Sequence, residues 1–283
     1  MWYVLKSPTL SLSVRNELKE AGINFFLPTH TILRTVNNQS KRIERPIVFN
    51  FVFVNSDYET ARDFCKDRPL YRLHVLYNHK PLSGNANATP VTISDKQMEM
   101  FQKAIKFYNG QEVPFIKPEE IELEKGDHVR IIGGKFSGLE GVLMTQKGKE
   151  GGRVVISLSN VLAVNTLEIE PEYLQILKYG KDGKHLYKHL DSYIQRLERI
   201  VGLSDKNLTQ NEIAPVLTFT RRFSELTTDT KNAQVKVLAL LNVSYKLLKD
   251  KDNYAKTRKE IETLLPQIKS QTTLSFVQRW TEI

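Results

Sequence analysis

Gly126–Gly141 reads GDHVRIIGGKFSGLEG, and the folding of that run decides the architecture of the chain. Two hydrophobic alternations, Val129-Arg130-Ile131-Ile132 and Val142-Leu143-Met144, flank a glycine cluster. Alternation of apolar and polar residues marks half-buried strands. Gly133-Gly134 and Gly138 supply the positive φ angles that tight turns need. A further alternation follows at Val154, Val155, Ile156 and Leu158. Short strands packed this densely predict a small closed β-barrel, because a strand set this short rarely survives with open edges.

Working outward, the 283 residues are enough for two or three domains. No run of eighteen apolar residues is present, so no transmembrane helix is expected. MWYVLKSPTL lacks the basic start and long apolar core of a signal peptide. Cys65 is the only cysteine, which excludes a disulfide framework and a cysteine-based zinc site. A cytosolic (cytoplasmic) location is the expectation. The net charge of +9 is unevenly spread: +6 over residues 1–110, −3 over 111–178 and +6 over 179–283. Basic ends of this kind attract phosphate backbones or acidic protein surfaces, or simply stay well solvated.

The chain before the barrel alternates strand and helix. Trp2–Lys6 is a strand, Ser11–Ala21 a helix closed by Gly22, and Ile23–Leu27 a strand continued over Thr31–Val36. Asn37–Ser40 forms a polar hairpin tip. Ile47–Val54 is apolar without alternation, as in a central strand buried on both faces. A short helix over Tyr58–Cys65 and a strand over Tyr71–Tyr77 follow, and then a loop over His79–Thr89. Ser94 and Gln97 form a capping box that opens a helix burying Met98, Phe101 and Ile105. Residues 1–110 are thus an antiparallel-sheet α/β sandwich. Residues 111–124 carry two prolines and five acidic residues and read as a tether. The barrel occupies 125–178. From 179 to 283 the pattern is helical: His185–Val201, Ile213–Leu226, Ala233–Leu248 and Tyr254–Leu265 predict a small bundle. The fold class is α+β with an all-helical end.

Catalytic chemistry finds no support. The glycines around Lys135 do not make a phosphate loop, since Phe136 stands where Ser or Thr is required. His185 and His189 lie one helical turn apart but no third ligand stands at a defined spacing. His30, His74, His79 and His128 are scattered, and Cys65 sits on an amphipathic helix as a core residue. No enzyme activity, metal or cofactor is expected.

WYVLKS, GINFFLPTH, RPIVFNFVFV and PVTISDKQMEMF, followed by GDHVRIIGGKFSGLEGVL, resemble the NusG family of transcription elongation factors across residues 1–178, in that family's domain order. The first four fall in its N-terminal (NGN) domain and the last in its SH3-like KOW β-barrel. Within the family the chain looks most similar to UpxY-like specialised paralogues. The resemblance implies that the first domain binds the clamp helices of the largest RNA polymerase subunit and suppresses pausing or termination. The implied contact strand reads Val48 to Val54, with Val48, Phe51 and Phe53 as contact residues; Phe49-Asn50 replaces the family's usual Pro-Gly. Arg15, Arg42 and Arg45 are the implied contacts to upstream-fork DNA or nascent RNA. Phe136, Val161 and Leu162 stand where the barrel meets a second partner, a ribosomal protein or the Rho factor. Other readings are an RNA-binding or ribosome-associated KOW module, and an adaptor working through its helical tail. The resemblance implies nothing for residues 185–283.

Overall fold

The computed structural model describes residues 1–8, 12–36, 39–46, 48, 51–78, 89–108, 113–116, 126–145, 152–158, 162–180, 184–202 and 208–282. Two compact units emerge: Met1–Ile121 with Ile156–Thr166, and Glu122–Val155 with Leu167–Ile283.

The first unit is built on β1 (Trp2–Lys6), the hub of a five-stranded antiparallel sheet. β5 (Phe51–Asn55) runs beside it over its full length, and β2 (Asn24–Phe26) pairs with the far side of β5. On its other edge β1 pairs with β6 (His74–Val75) through Leu5 and Lys6, and with β9 (Thr92–Ile93) through Trp2 and Tyr3. One sheet face packs Leu5, Val52 and Val54 against α1 (Val14–Glu20) and α2 (Tyr58–Lys66) through Val14, Leu18, Ala61 and Phe64. Strand parity sends Phe53 to the opposite face. There it meets Phe101 of α3 (Asp95–Tyr108), with ring centroids 5.6 Å apart and edge to face. The capping box at Ser94 forms as its spacing predicts: Gln97 N–H donates to Ser94 Oγ, and Ser94 N–H to Gln97 Oε1.

The local expectations for this unit hold in part. The central strand is described over Phe51–Asn55, and Ile47, Phe49 and Asn50 lie outside the described residues. Tyr71–Tyr77 is a 3-10 turn over Pro69–Tyr71, then β6 and the separate β7 (Tyr77–Asn78), which pairs with β8 (Thr89–Pro90). Arg72 adopts a left-handed φ of 48°, and that kink splits the expected strand. β3 (Thr29–Val36) and β4 (Gln39–Pro46) form the predicted hairpin as a sheet of their own.

The opening stretch lies in a second antiparallel sheet. It comprises β10 (Phe115–Ile116), β11 (Asp127–Ile131), β12 (Glu140–Thr145), β13 (Gly152–Leu158), β14 (Leu162–Ile169) and β15 (Leu174–Lys178). Their order is β10-β14-β13-β12-β11-β15, and the division between the units runs through β13 and β14. Phe115–Ile116 was expected in the tether, yet it pairs with Val164 and Ala163. Gly134 and Gly138 take positive φ, 72° and 86°, and the turn closes when Gly138 N–H donates to Ile131 O at 2.7 Å. Gly133 is needed for a different reason than predicted: a Cβ there would collide with the Tyr173 ring.

The helices of the second unit are α4 (Lys184–Val201), α5 (Gln210–Phe223), α6 (Lys231–Leu247), α7 (Lys251–Leu264) and α8 (Gln271–Thr281). α6 is the axis, buried almost all round from Val235 to Tyr245 and packed by α5, α7 and α8. Its apolar excess serves the bundle interior. Asn242 Nδ2 donates to Tyr254 O and Thr257 Oγ1, tying α6 to α7. Tyr193 stacks on Phe219 at 3.6 Å and shares a hydrogen bond with Ser244, joining α4, α5 and α6. α8 was not foreseen; Thr273, Val277 and Trp280 form its buried stripe.

The bundle grips the edge strand β15. Thr227, just past α5, donates its N–H to Leu177 O at 2.9 Å and forms a parallel bridge with Lys178. Gln175 Nε2 donates to Ser224 Oγ, and Lys178 pairs with Asp229 at 2.9 Å. An edge strand with free N–H and C=O groups invites pairing, and here the chain supplies its own cover at one end.

Candidate functional site

β5 positions the expected protein-contact residues unequally. Phe51 and Phe53 share a face, since they are two apart on one strand. Phe53 is fully buried beneath Phe101 and beside Phe26. Val48 is also buried, 3% exposed. Phe51 is half-buried and leaves part of its ring exposed. Phe53 therefore supports that surface from within.

The hairpin carries the basic residues. Arg15 on α1 forks onto Glu44 of β4, with its two terminal nitrogens at 3.1 and 2.9 Å from the carboxylate. Thr29 also donates to Glu44. Arg15 and then Thr29, as donors to the charged form, hold the Glu44 carboxyl down at about 2. Arg15 is thus committed to anchoring the hairpin base. Arg42 and Arg45 are both exposed. The register pairs Arg42 with Leu33 and Arg45 with His30, which puts the two arginines on opposite faces of the ribbon. Only Arg45 and His30 are brought side by side. No spacing rule could have found the Arg15–Glu44 fork, because its partners lie 29 residues apart.

In the second sheet Phe136 is buried at 4% exposure, and Leu162 of β14 is 9% exposed. Val161 lies outside the described residues. At the Gly133–Gly138 turn, Tyr173 is an exposed aromatic that the sequence reading missed. Its only signal was the invitation that Gly133 extends to a large neighbour.

Other chemistry is sparse. Burial pushes the Cys65 thiol up to about 11, so it stays protonated and inert. Among the described residues no three His, Cys, Asp or Glu side chains stand together as a metal site. His79 lies outside the described residues, and His185 and His189 are described in their backbone alone. No described helix is long and apolar enough to cross a membrane.

An antiparallel sheet hubbed on an N-terminal strand and packed by helices, with a separate β-ribbon that carries Arg42 and Arg45, defines an α/β domain. Residues 1–102 match the family model described as "Transcription termination factor nusG". A solved structure concerned with domain interaction in Thermotoga maritima NusG is 17% identical and covers 61% of this chain and 94% of its own, at a TM-score of 0.28. A likeness of that size bears on neither fold nor function. No curated protein matches the chain.

Proposed function

We propose that this protein is an elongation and antitermination factor whose first domain docks on the clamp helices of the largest RNA polymerase subunit. The observation that carries the reading is Phe51, a half-buried aromatic on the central strand of the NusG-family domain. It gives an apolar anchor of the kind that dominates binding energy at protein interfaces. The β3–β4 ribbon, with Arg42 and Arg45 exposed on opposite faces, is suited to lie between nucleic-acid phosphates. In this reading residues 125–178 form a KOW module that recruits a second partner, a ribosomal protein or Rho, through Phe136, Val161 and Leu162. The protein acts by binding and positioning and needs no cofactor.

A single-round elongation assay on a template with a defined pause tests this. The reading expects the full chain to shorten the pause or to carry polymerase through a terminator. It expects Arg42→Ala with Arg45→Ala to weaken the effect more at low salt than at high salt, because fewer phosphate contacts flatten the salt dependence. A folded protein that leaves pausing and termination untouched, while binding RNA with a steep salt dependence, would instead support an RNA-binding module.

A further inference from the structure

The helical bundle has a feature that the polymerase reading does not use. A cavity of about 360 Å³ opens between the end of α5, the middle of α6 and the first half of α7. That is within the size range of small-molecule sites. Its apolar part is Leu238 and the Tyr245 ring, and Thr220 and Thr257 add hydroxyls. Tyr245 is only 7% exposed, and it lines the cavity. Burial, then the nearby carboxylates of Asp250 and Glu260, hold its pKa above the ordinary tyrosine value.

The charges on the wall narrow the ligand. Two cations, Arg221 and Lys256, and three carboxylates, Glu225, Asp250 and Glu260, line the space. Glu225 is neutralised by Arg130 at 2.6 Å. Two charges of each sign are left. A ligand that carries one charge of each sign suits a wall that carries both, whereas a simple anion or a simple amine meets like charge as well as opposite charge there.

We propose that this cavity is a binding site for a small zwitterion, a free amino acid or a compound with the same charge pattern. The ammonium group sits by Tyr245, Asp250 and Glu260, and the carboxylate by Arg221 and Lys256. The site is independent of the polymerase reading and gives the helical bundle a role as a ligand-sensing domain. Its wall includes Ser224 and Glu225, the residues that bond to Gln175 and Arg130 of the adjoining strands. Occupancy is therefore placed where it would bear on the grip of the bundle on β15.

The test is calorimetric titration of the full chain with each of the free amino acids. At least one should bind saturably. Tyr245→Phe and Glu260→Gln should each weaken that binding about tenfold, the loss expected for one hydrogen bond to a charged group. Lys259→Gln, on the same helix but off the wall, should leave it unchanged. The N-acetylated form of the same amino acid should bind at least about tenfold more weakly. Helicity by circular dichroism confirms that each variant is folded. Failure of every amino acid to saturate the wild-type chain would overturn the proposal. So would equal binding of the N-acetylated form, or unchanged affinity in both folded wall variants.

Discussion

Arg130 on β11 reaches Glu225, 95 residues further along the chain, at 2.6 Å, while its Nε and second terminal nitrogen both donate to Glu140 on the neighbouring strand. One guanidinium thus binds a strand pair and the end of α5 together. The helical bundle is part of the same compact unit as β11, β12 and β15.

Removing Arg130 should loosen that unit. Arg130→Ala should cost about 1–3 kcal/mol in urea denaturation, the penalty for stranding partly buried charged partners. Glu225→Gln should cost less than about 1 kcal/mol, because that side chain is 51% exposed and screened. Hydrogen exchange at the Thr227 amide, which donates to Leu177 O, should speed up in Arg130→Ala. Exchange at Thr227 unchanged in a folded variant would mean that the Thr227 bridge holds the bundle without help.

The two phenylalanines of β5 should separate stability from binding. Phe53→Ala empties space under Phe101 and should destabilise the first unit by about 3–5 kcal/mol. Phe51→Ala removes a half-exposed ring and should cost about 1–2 kcal/mol at most. Thermal melts of the two variants decide this. Equal losses would mean that Phe51 is core as well.

Much of this fold could be read in advance, and the failures share a cause. The Ser94–Gln97 box and the Gly134 and Gly138 turn are local, and both formed as their spacing required. Phe115–Ile116 was taken for tether because its partners, Val164 and Ala163, lie some fifty residues away and no local pattern announces them. The short stripe of α8 is diluted by Thr and Ser, which lower helix propensity without preventing burial of Trp280. At the candidate site, period-two alternation places Phe51 and Phe53 on one face, but only the packed α3 reveals that Phe101 covers Phe53. Nothing in the local sequence around Arg15 announces that Glu44 lies beside it.

The Arg15–Glu44 fork sets a pH dependence. The Glu44 pKa falls from an ordinary 4.5 to about 2 in the folded chain. A depressed carboxyl stabilises the fold above its unfolded pKa, and that contribution is lost as pH falls through the folded value. The hairpin base should therefore hold above about pH 4.5 and loosen on descent toward pH 2. Side-chain carboxyl NMR should show Glu44 titrating near the lower limit. Glu44→Gln should remove this part of the acid dependence, and a Glu44 midpoint near 4.5 would show that the fork is open in solution.

Cys65 should be a silent thiol. Its buried thiol titrates at about 11, so a disulfide reagent at pH 8 should react slowly with the folded chain and rapidly in urea. Fast reaction without denaturant would show that α2 opens readily.

The most direct measurement is the affinity of the full chain for RNA polymerase core enzyme, with wild-type and Phe51→Ala proteins compared, and with polymerase lacking its clamp helices as the reference. The account predicts saturable binding to intact polymerase, a loss of about tenfold or more with folded Phe51→Ala, and no binding without the clamp helices. Equal affinity of wild type and Phe51→Ala, or binding that survives loss of the clamp helices, would contradict it.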